Sequence, residues 1–236
     1  MTDHNAWLGR WPFRDLGERG TAEFLLETME RQGIACSWVS PLDALFHRVP
    51  HKANLGLLRT LTEVGHGGKL VPIPVFHPGL ADSVDYLDRC RSLFPDLAGV
   101  RLLPALHRMD GANMDRVIAT LSDSGVRVVL TCRLMDAWAR IPWLPLPELT
   151  FGEIKEWLDR LEGLPVVVAG CTVGEIASLL AEPGLAGEWC SFESSRMDQA
   201  DSLDDARAIL GNDRVLPGSN APMSYQESMM AKWRET

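Results

Sequence analysis

The chain has 236 residues, of which 46% are hydrophobic, so it can bury a core of its own without a disulfide or a structural metal. Its formal net charge of −9 and the scatter of its basic residues argue against nucleic-acid binding, which needs a basic face. No apolar stretch approaches the roughly 20 residues of a membrane-spanning helix, so no membrane association is expected. The five cysteines are never spaced Cys-x-x-Cys and no apolar leader opens the chain. That combination predicts a reducing, cytoplasmic location.

Short apolar runs alternate along the chain with segments of helical periodicity. Strands are predicted at 3–8, 34–40, 69–76, 98–104, 126–132, 165–170, 188–193 and 214–218. Several of these runs are apolar at every position, which is typical of parallel strands covered by helices. Two helices carry a start signal, because Thr150 and Thr172 are each followed three residues later by a glutamate, as in a capping box.

This alternation predicts the fold class. The strand–helix units recur at about thirty residues, a common βα spacing, and no Pro-, Gly- or Ser-rich linker divides the chain. We therefore predict an α/β protein, a (β/α)₈ TIM barrel that forms a single domain over residues 1–236. A flavodoxin-like sheet is the structural alternative, but it leaves some of the predicted strands unplaced.

Polar residues gather at the predicted carboxyl ends of the strands, where barrel enzymes place their active sites. They are Asn5 and Trp7 at the first strand, His47 after the second, His77 after the third, Arg101 and His107 at the fourth, Arg133 and Asp136 after the fifth, Glu193 at the seventh and Asn220 at the eighth. Strand ends are generally more polar than strand centres, so part of this enrichment is expected without any site. Arg101 is the most informative residue because its strand is otherwise apolar. It either anchors a substrate or pairs with a buried carboxylate, since an unpaired buried charge is too costly.

Three segments resemble a known family. Residues 3–9 (Asp-His-Asn-Ala-Trp-Leu-Gly), 99–104 (Gly-Val-Arg-Leu-Leu-Pro) and 215–222 (Val-Leu-Pro-Gly-Ser-Asn-Ala-Pro) are similar to the first, fourth and eighth strands of the amidohydrolase superfamily. The similarity is greatest to its branch of TIM-barrel decarboxylases, hydratases and lactonases. The resemblance implies the same barrel and chemistry on small organic molecules.

The resemblance also implies a divalent metal, held by a His-x-His pair on the first strand, histidines after the fifth and sixth strands and an aspartate after the eighth. Here the His-x-His positions are Asn5 and Trp7, and the aspartate position is Asn220. The fifth predicted strand ends in Thr-Cys-Arg and the sixth in Ala-Gly-Cys. Amide oxygens and an indole are poor substitutes for imidazole and carboxylate. We therefore predict no metal site of the family type.

Three hypotheses of function remain. The first is a metal-independent, amidohydrolase-like hydrolase that cleaves a lactone- or ester-type bond in a small anionic organic substrate. The second is a catalytically inactive barrel that serves as a partner or ligand-binding subunit, which a ligand-complete homologue encoded alongside would favour. The third is an unrelated barrel enzyme whose metal site uses other residues, such as His77, His107 and Glu193.

In the first hypothesis, His107 and Asp136 position or deprotonate water, and Arg133 stabilises the developing oxyanion. Arg101 binds a carboxylate, a task that suits the guanidinium fork. The remaining strand-end residues are predicted substrate contacts: Asn5, Trp7, His47, His77, Glu193 and Asn220. An ion pair between Arg133 and Asp136 that only fixes a loop stays an open alternative.

No cofactor is predicted, because the sequence contains no P-loop, dinucleotide fingerprint or serine-hydrolase elbow. The predicted partner is a small anionic molecule. A homo-oligomer and a pairing with a homologous amidohydrolase chain both stay open.

Overall fold

The computed structural model describes residues 1–13, 15–80, 82–95, 97–107, 109, 114–135 and 146–235. Within them, short strands alternate with helices. The strands are β1 (Thr2–Leu8), β2 (Cys36–Pro41), β3 (Leu70–Pro72), β4 (Val75–Phe76), β5 (Gly99–Leu102), β6 (Arg127–Thr131), β7 (Val166–Ala169), β8 (Cys190–Glu193) and β9 (Val215–Leu216). The helices are α1 (Ala22–Gln32), α2 (His51–Val64), α3 (Ser83–Leu93), α4 (Pro104–His107), α5 (Met114–Ser124), α6 (Phe151–Arg160), α7 (Val173–Leu180), α8 (Ser202–Leu210) and α9 (Gln226–Glu235).

The strands pair in chain order, as β1-β2-β3 and as β4-β5-β6-β7-β8-β9. Every one of these pairs is parallel. Both predicted capping boxes are present, with Thr150 and Glu153 opening α6 and Thr172 and Glu175 opening α7. These local signals therefore predicted two helix starts correctly.

The alternation of side chains along the strands separates the barrel interior from its exterior. Val100 and Leu102 of β5 pack outward in the cluster that contains the helix residues. Val129 and Val167 pack in a separate cluster inside the barrel. Arg101 lies between Val100 and Leu102 and is paired in register with Val129. Its side chain therefore points into the barrel.

The third barrel strand is broken, which corrects the prediction of one continuous strand over residues 69–76. β3 pairs with β2, and β4 pairs with β5. The break lies at Ile73, between Pro72 and Pro74, neither of which has an N–H group to continue a ladder. Single hydrogen bonds carry the connection across it: Ile73 N donates to Val39 O (2.8 Å), and Arg101 N donates to Pro74 O (2.9 Å).

Asn54 of α2 satisfies the backbone that this break leaves without a ladder partner. Its Oδ1 accepts from Val75 N (3.0 Å), and its Nδ2 donates to Val75 O (2.8 Å) and to the hydroxyl of Tyr86. Asn54 is fully buried. The side chain thus acts as a short strand neighbour for β4, which explains a polar residue in the apolar face of α2.

The barrel closes between its last and first strands. His4 N donates to Pro217 O (2.8 Å), and Trp7 N donates to Ala221 O (2.7 Å). Together with the parallel bridge between Ala6 and Ala221, these bonds join β9 to β1. The predicted (β/α)₈ barrel is confirmed. No helix within the described part of the chain is long and apolar enough to cross a membrane.

Candidate active site

Arg101 forms the centre of a polar cluster inside the barrel. Its Nε donates to Ser40 Oγ (2.7 Å), and its Nη1 donates to Asn5 Oδ1 (2.9 Å) and Thr131 Oγ1 (3.0 Å). The guanidinium carbon lies 4.1 Å from the centre of the Trp7 ring, in a cation–π contact. The cluster therefore joins residues from β1, β2, β5 and β6 around one cation.

Arg101 is fully buried, and no carboxylate among the described residues forms an ion pair with it. Burial lowers the pKa of Arg101 to about 9, opposed by the charges of Glu193 and Asp3, so the guanidinium stays protonated at neutral pH. Its Nη2 is buried and has no hydrogen-bond acceptor in the described part of the chain. Leaving a buried donor unsatisfied costs about 1–3 kcal/mol, and more when the group is charged.

Two acidic residues, Asp3 and Glu193, lie fully buried in the barrel interior. Asp3 accepts from Ser219 N (2.9 Å), Ser219 Oγ (2.6 Å), Gln226 Nε2 (2.7 Å) and Asn5 N (3.1 Å). Burial raises the pKa of Asp3, and these hydrogen bonds oppose the rise. Asp3 was not among the predicted site residues, because β1 begins with the polar run Thr-Asp-His-Asn and a charge there does not stand out as Arg101 does in its apolar strand.

Glu193, a predicted substrate contact, has its oxygens engaged by the protein. It accepts from Gly170 N (2.9 Å), Ser195 N (2.8 Å) and Ser195 Oγ (2.6 Å). Burial raises the pKa of Glu193, and these hydrogen bonds only partly oppose the rise. A side chain at position 218 would overlap this carboxylate, which explains why Gly218 is a glycine. The fold therefore holds the Glu193 carboxyl group in a fixed position in the interior.

Asn220 and Trp7 are held to each other. Trp7 Nε1 donates to Asn220 Oδ1 (3.0 Å), and Asn220 Nδ2 donates to Leu134 O (2.6 Å). Asn220 N also donates to Asn5 O (2.6 Å). The structure thus brings four predicted site residues, Arg101 and these three, into one network.

The three predicted site histidines line a separate cavity of about 510 Å³, formed by the loops after β2, β4 and β5; its described lining includes no residue of the Arg101 cluster. The rings of His77 and His107 are stacked, with centroids 4.9 Å apart and planes at 7°. His107 Nε2 lies 3.3 Å from Ala44 O, a contact in which the nitrogen must donate. His47 is the third histidine that lines this cavity.

His107 is neutral at physiological pH. Burial lowers its pKa to about 4, with the Ala44 carbonyl opposing the shift and His77 adding to it. Since Nε2 carries the proton that bonds Ala44, the lone pair is on Nδ1. That atom is buried and has no partner in the described part of the chain. The geometry leaves it free to accept a proton.

Arg133 has its donors engaged in a different cluster. Its Nη1 donates to Glu175 Oε2 (2.7 Å) and Gly170 O (3.1 Å), its Nη2 donates to Glu175 Oε1, and its Nε lies 3.5 Å from Glu148. Among the described residues, Arg133 therefore pairs with Glu175 and Glu148. Asp136, the predicted catalytic carboxylate, lies outside the described residues, and its role stays a prediction.

The donor set does not suit the metal that the fold family implies. Within the described residues no group of three His, Cys, Asp or Glu side chains is placed to hold an ion. The rings of His77 and His107 lie in nearly parallel planes with centroids 4.9 Å apart, and ring lone pairs lie in the ring plane, so the two rings do not point at one shared ion, as the ligands of one metal must. Glu193 is engaged by backbone and serine donors. The third hypothesis, a metal site of His77, His107 and Glu193, does not fit this geometry.

Comparisons with known proteins found structural neighbours only. No family model matches the chain, and no curated protein matches it. Among solved structures, 2,6-dihydroxybenzoate decarboxylase from Rhizobium aligns with a TM-score of 0.71 and 13% identity, over 100% of this chain and 91% of its own. A probable 2-pyrone-4,6-dicarboxylic acid hydrolase from Acinetobacter baumannii, with citric acid bound, gives 0.65 and 12%, over 99% and 91%.

A third neighbour is an amidohydrolase from Burkholderia multivorans with bound zinc, which aligns with a TM-score of 0.65 and 14% identity, over 99% of this chain and 91% of its own. These neighbours are amidohydrolase-superfamily barrels. At such identities the likeness is one of fold, and at that level the resemblance predicted from the sequence is confirmed.

Proposed function

We propose that this barrel of the amidohydrolase fold is an enzyme that hydrolyses a lactone- or ester-type bond in a small organic anion without a metal ion. The observation that carries the proposal is the histidine-lined cavity of about 510 Å³. His107 is one of its lining residues, and its unprotonated Nδ1 is buried and has no hydrogen-bond partner among the described residues. The structural neighbours support the substrate class, since they include enzymes for dihydroxybenzoate and for a pyrone dicarboxylic acid.

In this proposal His107 is the general base. The Ala44 carbonyl fixes its tautomer and ring orientation, so that Nδ1 can take a proton from an attacking water. A pKa of about 4 makes His107 a weak base, but it keeps the ring in its basic form throughout the neutral range. Arg101 binds the anionic group of the substrate, and His47, His77, Asn5, Trp7 and Asn220 surround it.

Arg133 and Asp136 have less support from the geometry. The ion pair with Glu175 would have to open before Arg133 could stabilise an oxyanion. We therefore propose that Arg133 first of all braces the loop after β6. Asp136 stays a predicted second carboxylate for orienting water.

The test is a screen of lactones and carboxylate esters with the purified chain in the presence of EDTA. For a substrate found in this way, His107→Asn should lower kcat at least tenfold, since a positioned base contributes ~10²–10⁴-fold. The control is His66→Asn, which changes a histidine that contacts the start of β3, and it should leave kcat unchanged. The acidic limb of the kcat/KM profile should fall near pH 4. An unchanged rate in His107→Asn would remove this residue from the mechanism.

A second candidate is an inactive partner or ligand-binding subunit. The observation that favours it is the mutual engagement of Asn5, Trp7 and Asn220, which turns the expected ligand positions into a closed hydrogen-bonded network. No turnover of any substrate in the panel, combined with tight binding to a homologous amidohydrolase chain, would favour this candidate over the hydrolase.

A further inference from the structure

The residues at the expected metal-ligand positions converge on a side chain. Asn5 and Thr131 each accept a hydrogen bond from Arg101 Nη1, at 2.9 and 3.0 Å. Trp7 lies face-on to the guanidinium at 4.1 Å. Asn220 Oδ1 accepts a hydrogen bond from the indole N–H of Trp7, at 3.0 Å. These positions therefore still surround a cation, and that cation is a guanidinium.

The chemistry of this set matches a guanidinium and does not match a transition metal. Amide and hydroxyl oxygens accept N–H hydrogen bonds, and an indole face attracts a planar cation. None of the three supplies the imidazole, thiolate or carboxylate that zinc or manganese selects. Arg101 is fully buried. Its side chain is therefore held in position by contacts with the surrounding barrel residues.

The cluster leaves one arm of the fork open. The Nε and Nη1 atoms are bonded to Ser40, Asn5 and Thr131. Nη2 is buried and has no acceptor in the described part of the chain. A ligand bound inside the barrel would therefore contact Arg101 through Nη2, at one end of the guanidinium and not through both arms of the fork.

The surrounding charges limit what this arm can receive. Asp3 and Glu193 are buried in the same interior and act on Arg101 electrostatically. Each already accepts hydrogen bonds from several donors, and burial raises the pKa of both carboxyl groups. One positive charge against two acidic groups disfavours a doubly charged ligand such as sulfate.

We infer that the guanidinium of Arg101 takes the place of the metal ion in this barrel, and that its Nη2 binds an oxygen of a singly charged carboxylate. The inference rests on the proposed function only in treating the barrel mouth as a ligand site. Beyond that function, we propose that the cation of the site is the Arg101 guanidinium, that Nη2 is the contact atom, and that the ligand is a monocarboxylate.

The test measures binding to the full chain by calorimetry and thermal shift, with EDTA present. The probes are acetate and benzoate, their neutral counterparts acetamide and benzamide, and sulfate. Acetate or benzoate should bind and raise Tm, whereas the amides and sulfate should not. Arg101→Lys keeps a positive charge between Asp3 and Glu193 but lacks the guanidinium, and it should weaken the Kd by roughly 10- to 100-fold. The matched control is Arg127→Lys, an arginine of β6 that lies over Trp38, and it should leave Kd unchanged.

A second variant covers the case in which Arg101→Lys does not fold. Arg101→Ala should recover thermal stability and carboxylate binding when guanidinium chloride is added at a low, non-denaturing concentration, and not with sodium chloride. Equal binding of acids and amides, an unchanged Kd in Arg101→Lys, or carboxylate binding that needs added zinc or manganese would overturn the inference.

The outcomes separate this inference from the proposed function. Lactone turnover without Arg101-dependent carboxylate binding would overturn the inference and leave the hydrolase standing. Arg101-dependent binding without turnover would support the inference and count against the hydrolase.

Discussion

Glu175→Gln tests whether Arg133 is a brace, because Glu175 has two tasks that can be separated. It caps α7 by accepting from Thr172 N and Thr172 Oγ1, both at 2.9 Å. It also accepts both Nη atoms of Arg133, whose side chain is 15% exposed against 20% for Glu175. Glutamine can still close a capping box, so the substitution removes mainly the charge that faces Arg133.

The magnitude follows from the two bonds. A hydrogen bond to a charged group contributes about 1.5–3 kcal/mol, against about 0.5–1.5 for a neutral one. Because glutamine has one acceptor oxygen, one bond to Arg133 is weakened by roughly 1 kcal/mol and the other is lost, which costs at least as much. Glu175→Gln should therefore lower the free energy of unfolding by about 2 kcal/mol. For a chain of this size that corresponds to a fall of about 4–8 °C in Tm.

The chain supplies a matched control in its other capping box. Glu153 accepts from Thr150 N and Thr150 Oγ1, both at 2.7 Å, and within the described residues no arginine is paired with it. Glu153→Gln should change stability by less than about 0.5 kcal/mol. The difference between the two variants in urea and thermal unfolding isolates the contribution of Arg133. If Glu175→Gln costs no more than Glu153→Gln, the brace argument is refuted.

The effect should also depend on pH. Burial alone would raise the pKa of Glu175, but the hydrogen bonds and charge of Arg133 and the Thr172 contacts lower it below 4.5. A lowered folded-state pKa gives stability that is present above 4.5 and is lost as pH falls through the folded value. The gap between the wild type and Glu175→Gln should therefore be constant at neutral pH and close in acid.

Three further outcomes are expected. The chain purified without chelator should carry far less than one equivalent of zinc or manganese by elemental analysis, and a full equivalent would contradict the assignment of Arg101 as the site's cation. Gly218→Ala should destabilise by about 1–3 kcal/mol in urea unfolding, because its methyl group would overlap Glu193, whereas Gly174→Ala, a helical position with open space around it, should stabilise by up to ~1 kcal/mol. Because the pKa of His107 is about 4 in the fold and 6.5 ordinarily, it should make the protein less stable as pH falls between these values; His107→Asn should flatten that part of the stability curve.

Local patterns accounted for much of the fold. The capping boxes at Thr150 and Thr172 depend on residues three apart, and buried parallel strands are apolar at every position, so both can be recognised from sequence. The break at Pro72 and Pro74 was missed because the run around it is apolar, although proline cannot continue a ladder on both sides. That signal was present and was outweighed by the hydrophobic pattern.

The sequence could identify several residues of the candidate site, but it could not show which of them contact each other. Arg101 could be identified because it is a charge in an apolar strand. Its three hydrogen-bonding partners lie 61, 96 and 30 residues away in the chain. The sequence therefore could not show whether Arg101 is bonded to a carboxylate or to uncharged acceptors. The same distance problem hid the stacking of His77 on His107, and it hid the pairing of Arg133 with Glu175.

The division of the barrel into two sheets has a consequence for its motions. The sheet β1-β2-β3 meets the sheet β4-β5-β6-β7-β8-β9 through few backbone hydrogen bonds, so these junctions are where transient opening and amide hydrogen exchange should be fastest. Arg101 crosses that boundary, bonding Ser40 on one side and Thr131 on the other. Ser40 in turn donates to Ile73 O (2.6 Å) at the break itself. If the proposed carboxylate strengthens the contacts of Arg101, these junctions should open less often, and amide hydrogen exchange at Ile73 should slow as the proposed site is filled.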